Sequence, residues 1–464
     1  MSSTERSENN RFRNIFAPSV LAAIPLVYVL VYHPNLENIL LVLIMTALVP
    51  VFFIDFKLGF FVLIALRPTL DVFGETELFA LGPFPFNLSS VVGILVIVWG
   101  LWYFFTRKVR FWRQPLFWPF AIVTGLSVIS LFYTPSNSAT IRESVRFLSI
   151  FVMYLMAGSI ITSAQRFSMF LGTAAVSLII PLAVGAYQFL SGTGLSFGGL
   201  DNRVYATLGH PNAFGFYLVL LLGIGLGYFF SRQAERSQKL ILAGLTVLCL
   251  FLILTYTRGA WLAFLFVFIL FGIRYYKKLL IVLAAFALAV LLLSPVINRA
   301  SIAYFDYDFN RNPLVQRLSD DSNIESSIDW RFGVWSEMSA KIGERPLFGY
   351  GLGAFPVIRQ QYVKGFFEST EAHNDYLRLA IELGVIGLGV YMILLGTLLY
   401  SLWRKFRANI SPAAKAWMIS GVGLAGALMV MSFSDNVLQG TAAMWLFWSF
   451  QAGLLNAETR PTIK

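Results

Sequence analysis

Charged side chains are scarce in this sequence: Asp, Glu, Lys and Arg make up 13% of its 464 residues, against 57% for hydrophobic residues. Soluble domains carry about twice this charged fraction. Together with a mean hydropathy of +0.71, the low charge excludes a soluble globular protein. Apolar runs of about 20 residues recur, and each is long enough to cross the hydrocarbon core of a bilayer. The sequence predicts an all-α polytopic membrane protein, with residues 1–464 forming a single membrane domain.

Cysteine and histidine are also nearly absent, with one cysteine and three histidines. The single Cys249 excludes an internal disulfide. The aspartates of "YFDYDFNRNPLVQRLSDDS" have neither EF-hand spacing nor a nearby His or Cys, so we expect no metal site. The glycines of "GYGLGAF" lack a βαβ context and are read as a turn that needs positive φ and close backbone approach, not as a nucleotide fingerprint. We expect no cofactor.

The apolar runs predict fourteen transmembrane helices, with twelve as the lower bound. Arg67 and Pro68 interrupt the third predicted span, and only "TRG" separates the tenth from the ninth. The predicted spans are residues 15–33, 38–54, 57–72, 87–106, 115–133, 147–164, 168–190, 211–230, 239–256, 259–274, 278–296, 377–400, 414–433 and 441–457.

Basic residues cluster in alternate loops. "RKVRFWR", "SRQAERSQK", "RYYKK" and "WRKFRANISPAAK" all fall on the side of the N-terminus, which the positive-inside rule makes cytoplasmic. Both termini are then predicted to be cytoplasmic. The net charge of +11 is therefore read as a topology signal facing membrane lipids, with no nucleic acid among the expected partners.

The one long hydrophilic insertion, residues 297–376, falls on the outer side. It carries eleven acidic and eight basic residues. Within it, "SSIDWRFGVWSEMSAKIGERPLFGYGLGAF" begins with a helical pattern, which Pro346 stops before a glycine-rich turn. We expect a large, partly helical periplasmic loop that forms a subdomain.

Several arginines lie at the outer ends of predicted spans, against the inward bias of the other basic residues: Arg67, Arg142, Arg146, Arg203 and Arg258. Arg142 and Arg146 are four residues apart and share a helix face, while Arg258 has no acidic residue within ten positions. Any one of them could simply reach the headgroups or cap a helix. Together they indicate an anion site for a lipid headgroup or, as the sharper hypothesis, a lipid diphosphate.

Histidine is the side chain best suited to accept a proton near neutral pH. His33 and His210 are both read as structural, His210 because it precedes a Pro-Asn helix start where it or Asn212 could cap. His373 lies at the junction of the large loop and a predicted span, beside Glu371 and Asp375. It is predicted to be catalytic, the alternative being that it caps the following helix or binds the acceptor.

Three motifs resemble the O-antigen ligase and polymerase superfamily. "WRFGVWSEMSAKIGERPLFGYGLGAF" followed by "HNDYLRLAIELGVIGLG" is similar to its signature region, "LTYTRGAWLAF" to its Ser/Thr-x-Thr-Arg-Gly-x-Trp element, and "GHPNAFGFYL" to its Asn-Pro-Asn-Ala-x-Gly helix start. His210 stands where the family commonly has asparagine. The motifs cover roughly residues 200–390, and residues 1–190 match only as a hydrophobic pattern with outer arginines.

The resemblance implies a bacterial inner-membrane glycosyltransferase with its active site facing the periplasm. Its donor is a glycan on undecaprenyl diphosphate, its acceptor is a glycan or lipid A–core, and a chain-length regulator protein is an expected partner. We expect His373 to act as base, Glu371, Asn374 and Asp375 to orient and support it, and Arg258, with Arg142, Arg146, Arg203 and Arg331, to bind the diphosphate. No metal is expected, since arginines would take that role.

Two acceptors remain open. A lipid-linked repeat unit would make the protein an O-antigen polymerase, and lipid A–core would make it an O-antigen ligase. Fourteen spans and 464 residues favour the polymerase, since the resemblance implies that ligases have roughly twelve. A flippase or other transporter is a distant alternative, because the suspected residues gather at the outer edge and not near the bilayer midplane.

Overall fold

The structure is a computed structural model, and it describes residues 55–74, 77–81, 84–197, 200–231, 235–278, 281, 321–362, 371–408 and 410–456. Seven helical segments of this described part are long and apolar enough to cross a membrane, and one of them, Ala164–Ser191, consists of two successive helices. They confirm an α-helical polytopic membrane protein. The predicted spans 15–33, 38–54 and 278–296 lie outside the described residues, so the total of fourteen stays a prediction.

The described residues form fifteen α-helices, four three-residue 3₁₀-helices (Asp71–Phe73, Phe111–Arg113, Ser130–Phe132 and Val437–Gln439) and two short antiparallel hairpins. The fold therefore departs from the all-α prediction only in the hairpins. The helices are α1 Phe56–Leu70, α2 Leu88–Arg107, α3 Phe117–Ile129, α4 Asn137–Ile160, α5 Ala164–Val176, α6 Ile179–Ser191, α7 Pro211–Ser231, α8 Glu235–Leu254, α9 Arg258–Tyr275, α10 Asp321–Glu344, α11 Phe355–Tyr362, α12 Asp375–Glu382, α13 Gly384–Arg407, α14 Pro412–Ser434 and α15 Thr441–Asn456. Strands β1 Glu77–Leu81 and β2 Phe84–Asn87 form one hairpin, and β3 Leu195–Phe197 and β4 Leu200–Arg203 form the other.

The core centres on α15. Every residue of this helix from Thr441 to Leu455 is buried, as expected for a helix that is apolar on all sides. It packs along α4 and also contacts α1, α7 and α14. Trp445 and Trp448, both buried, fill the space between these helices. The end of α15 that begins at Thr441 reaches the cavities described below.

Two predicted span boundaries were wrong. α4 begins ten residues before the predicted 147, capped by Ser136, because the charged side chains of its first turns find partners inside the protein. The span predicted at 168–190 is found at Ala164–Ser191, where α5 and α6 follow one another and Pro181 lies in the first turn of α6. The predicted span 377–400 is likewise two helices, α12 and α13, which meet at Gly384.

The glycine-rich turn after α10 has the predicted backbone. Gly349, Gly351 and Gly353 all have positive φ, and α10 ends at Glu344, just before Pro346. The turn packs against the end of α12, where the amide of Gly351 donates to the carbonyl of Glu382 at 2.8 Å. A Cβ atom on Gly349 would lie 2.4 Å from the carbonyl oxygen of Ile381. Close backbone approach therefore requires glycine here and fixes where α12 sits.

Candidate active site

The segment that leads into α12 presents His373 to a cavity. Asn374 caps the helix by accepting the amide N–H of Leu377 at 3.0 Å, so its predicted supporting role takes the form of a helix cap. His373, directly before the cap, has φ of +45°. Left-handed backbone is unfavourable for a non-glycine residue and must be held by its surroundings. One such contact is the Trp335 indole N–H of α10, which donates to the carbonyl of Ala372 at 2.8 Å.

His373 pairs with Asp435, the residue that follows α14. The ring Nδ1 lies 3.2 Å from Asp435 Oδ1. Burial alone would raise the pKa of Asp435, but the hydrogen bond and charge of His373 outweigh burial and lower it. An ionised carboxylate only accepts hydrogen bonds, so Nδ1 carries the hydrogen. Nε2 is then the basic nitrogen of the ring.

Three further hydrogen bonds join the segment around His373 to the segment after Asp435. Glu371 Oε2 accepts from Asn436 Nδ2 at 2.9 Å and from Gln439 Nε2 at 3.3 Å. Asp375 Oδ2 accepts the amide N–H of Leu438 at 3.2 Å. Asp375 is fully buried, and burial raises its pKa to about 7 although the charge of Arg378 opposes the rise. The predicted supporting acids thus hold the two segments together, and Asp435 contacts the ring.

A cavity of about 410 Å³ opens beside this pair and is called the histidine cavity. Its lining includes His210, His373, Asp435, Arg67, Arg146 and Glu371. Arg67 pairs with Asp71 and donates to Ser89 Oγ at 3.3 Å. The cavity therefore combines a histidine base with fixed donors and acceptors, and Phe216 and Met431 add apolar surface.

A second cavity, of about 250 Å³, is called the arginine cavity. Arg142 and Arg146 both line it, which confirms that these two residues share a face of α4. The two cavities adjoin, because the side chains of Arg146, Glu371 and Gln439 line both, as do Ser89 and Thr441. A ligand with several sugar or phosphate groups could therefore extend from one cavity to the other.

A buried ionic network, absent from the sequence-based prediction, ties α12 to α4 under these cavities. Arg378 of α12 donates to Glu143 of α4 at 2.5 Å and to Glu382 at 3.2 Å, and Glu143 also pairs with Arg146. Burial by itself lowers the pKa of Arg378, but the two carboxylates outweigh burial and raise it. Two positive and two negative charges thus balance, which holds both α12 and Arg146 in place.

Arg258 and Arg331 lie outside the lining of both cavities. Burial lowers the pKa of Arg331, the charge of Asp435 raises it, and the charge of Arg258 lowers it further. The charges of Asp435 and Arg258 therefore both act on Arg331. The Nε of Arg331 is buried and has no hydrogen-bond partner among the described residues. Two guanidiniums that repel each other, one of them with an unbonded nitrogen, would be stabilised by a shared anion.

Arg203 and His210 organise the starts of α9 and α7. Buried Arg203 donates to the Thr255 carbonyl and to Asn212 Oδ1, both at 3.1 Å, and lies outside the lining of either cavity. This geometry is structural, and its predicted part in donor binding remains a prediction. His210 caps α7, since its Nδ1 accepts the Asn212 amide N–H at 3.1 Å. Its ring also lines the histidine cavity.

Residues 240–392, about a third of the chain, match the family described as O-antigen ligase. This match confirms the resemblance to the O-antigen ligase and polymerase superfamily. The matched stretch includes Arg258, Arg331 and His373, whereas α4 and Asp435 lie outside it. No curated protein matches the chain.

Sequence reasoning missed Asp435, although a signal was present. Between residues 408 and 456 the sequence holds a single acidic residue, Asp435, in the short polar stretch "SDNVLQG" between two apolar runs. An isolated carboxylate at a membrane-helix end is costly unless it has a partner. The cost of an unpaired charge at a span end, which marks the outer arginines as candidates, marks Asp435 in the same way.

Proposed function

We propose that this protein is an inverting glycosyltransferase that takes its donor glycan from undecaprenyl diphosphate on the periplasmic side of the bacterial inner membrane. We further propose that it joins this glycan to a second lipid-linked unit, as an O-antigen or related surface-polysaccharide polymerase. The observation that carries the proposal is the His373–Asp435 pair, which lines a cavity. The charges of Asp435 and Arg258 both act on the Arg331 guanidinium.

In the proposed reaction an acceptor hydroxyl attacks the anomeric carbon of the donor sugar. The bond between that carbon and the diphosphate oxygen breaks, and the diphosphate leaves with the electron pair. His373 Nε2 takes the hydroxyl proton, and Asp435 at 3.2 Å from Nδ1 stabilises the imidazolium that forms. A single displacement from the face opposite the leaving group inverts the anomeric configuration and requires no covalent intermediate.

The proposed site for the leaving diphosphate is the pair Arg258 and Arg331. The partnerless Nε of Arg331 and the mutual repulsion of the two guanidiniums would both be relieved by a phosphate oxygen. Charge that develops on the leaving group would be stabilised by groups already in place. The described residues include no group of three His, Cys, Asp or Glu that could hold a metal ion. The proposal therefore assigns the neutralising role to arginine.

Substitution at His373 and Arg258 tests the site. His373→Ala and His373→Gln should both abolish transfer while donor binding is kept, because glutamine can hydrogen-bond but cannot take the proton. Arg258→Lys keeps the charge but loses the two-pronged guanidinium, so it should already lose most of the activity. Normal turnover in Arg258→Ala at the wild-type protein level, or a product with retained configuration, would contradict the mechanism.

The family description favours the ligase as the second candidate function. The purified protein should be supplied with lipid-linked repeat units alone, and then together with lipid A–core. Chain growth with repeat units alone identifies a polymerase, and product only with lipid A–core identifies a ligase. The proposed orientation has its own test. Reporters fused near Arg110, Gln233 and Arg407 should read as cytoplasmic, and one inserted near Asn323 should read as periplasmic.

A further inference from the structure

His210 has a ring nitrogen that its structural role leaves unused. The ring Nδ1 accepts the Asn212 amide N–H at 3.1 Å, and the His210 carbonyl accepts the Phe214 amide N–H at 3.1 Å, so His210 is the cap of α7. A ring nitrogen that accepts a backbone N–H carries no proton, so the neutral ring holds its hydrogen on Nε2. Desolvation also lowers the pKa of His210, which favours this neutral form.

This second nitrogen belongs to a side chain that lines the histidine cavity together with His373 and Asp435. The His210 ring is exposed, and no described residue accepts a hydrogen bond from its Nε2–H. The cap fixes the ring, so this N–H is a donor held in place at little further entropic cost. A rigid donor with an open position is suited to bind an oxygen atom of a ligand.

The charges around the histidine cavity indicate which kind of oxygen it would bind. Arg67 and Arg146 line the cavity, but each is already paired with a carboxylate, Asp71 and Glu143 respectively. Two more carboxylates, Glu371 and Asp435, also line it. These carboxylates would repel an anionic ligand. The hydroxyls of an uncharged sugar can instead donate to the carboxylates and accept from an N–H.

We propose that His210 is a sugar-binding residue of the histidine cavity, and that its Nε2–H donates to a hydroxyl oxygen of the donor or acceptor glycan. This inference rests on the proposed glycosyl transfer. It gives His210 a part in substrate selection, separate from the base and from the arginines that receive the diphosphate.

Two substitutions separate the cap from the sugar contact, because each imitates one nitrogen of the ring. Asparagine places its oxygen near the position of Nδ1, so His210→Asn keeps the cap but loses the cavity donor. Glutamine reaches the position of Nε2 with an N–H but loses the cap geometry. His210→Asn should therefore keep the wild-type melting temperature, whereas His210→Gln should melt earlier.

The two variants should rank the other way round in substrate affinity, with His210→Gln close to wild type and His210→Asn weaker. In His210→Asn the KM for one glycan substrate should rise about twofold to tenfold, as expected for one lost hydrogen bond, with kcat changing less. In His210→Gln the KM should remain near the wild-type value. The probe is the lipid-linked glycan extracted from cells in which the gene is deleted. The KM is measured with this glycan varied, since in the proposed polymerase reaction it supplies both the donor and the acceptor.

An unchanged KM in His210→Asn would overturn the inference, as would a rise in His210→Gln as large as that in His210→Asn. The proposed function fails in a different way. It fails when the wild-type protein transfers no glycan, or when His373→Ala still does, regardless of how the His210 variants behave.

Discussion

Replacing Arg378 with methionine should destabilise the protein by an amount that the ionic network allows us to estimate. The Arg378 side chain is 3% exposed and that of its partner Glu382 is 0% exposed, so the substitution leaves a carboxylate in the interior without its counter-charge. Removing one member of a buried pair typically costs about 3–5 kcal/mol. Glu143 keeps Arg146 as a partner, so the unpaired charge of Glu382 should account for most of the destabilisation.

The destabilisation should also depend on pH. Burial raises the pKa of Glu382 even with Arg378 present, and without Arg378 the pKa rises further. The folded state then holds a proton that the unfolded state releases above about pH 4.3. Because the folded state binds more protons, stability falls as pH rises, by up to about 1.4 kcal/mol per pH unit until the folded pKa is reached. The variant should be closest to wild type at low pH.

Thermal unfolding of the purified protein in detergent, between pH 5 and pH 8, measures this effect. Glu382→Gln added to Arg378→Met should restore part of the melting temperature, because it removes the stranded charge. Replacing the exposed Arg404 by methionine is the matched control, since it removes an arginine at the helix end of α13 without burying a charge. An Arg378→Met protein that melts like the Arg404→Met protein at every pH would refute the role given to the network.

Three further predictions test the neighbouring contacts. Asp435→Asn should lower turnover by about 10²–10⁴-fold at normal protein level, because the imidazolium loses its counter-charge, and a loss of less than tenfold in a transfer assay would contradict this. Asp375→Asn should reduce the loss of melting temperature that wild type shows as pH rises towards the pKa of about 7, and parallel curves would contradict the assignment. Gly384→Ala should destabilise by about 1–3 kcal/mol, since φ is +67° and the new Cβ would lie 2.2 Å from the Leu347 carbonyl oxygen. Gly389→Ala, which meets no atom within 4 Å, is its matched control in the melting assay.

The sequence predicted the membrane class and the glycine turn because both depend on local signals. Apolar runs of about 20 residues identify spans one by one, and glycines in a polar turn identify positive φ. The predicted start of α4 was wrong for the opposite reason. The first turns of α4 are polar, and burying their charges would be unfavourable without partners. The chief partner comes from another helix, since Arg378 of α12 pairs with Glu143.

The candidate site was predicted only in part, because its contacts join residues far apart in the chain. His373 was found from its local setting, but its partner Asp435 is 62 positions away. Arg378 and Glu143 are 235 positions apart. The four-residue spacing of Arg378 and Glu382 suggests a helical pair, yet nothing local shows that a third charge on another helix completes it.

The charges around the candidate site differ between the cavities and the pair Arg258 and Arg331, so the proposed sugar and diphosphate groups would bind in different places. The guanidiniums that line the cavities or lie beneath them mostly have carboxylate partners: Arg67 with Asp71, Arg146 with Glu143, and Arg378 with Glu143 and Glu382. Such paired groups present hydrogen-bond donors without a net attraction for anions, which suits hydroxyl-rich sugars. The charges of Arg258 and Arg331 repel each other, so an anion beside them would be stabilised. His373 and Asp435 line the histidine cavity, and the charge of Asp435 also acts on Arg331. In the proposed reaction, a sugar hydroxyl in the histidine cavity would give its proton to His373 while the arginines receive the leaving diphosphate.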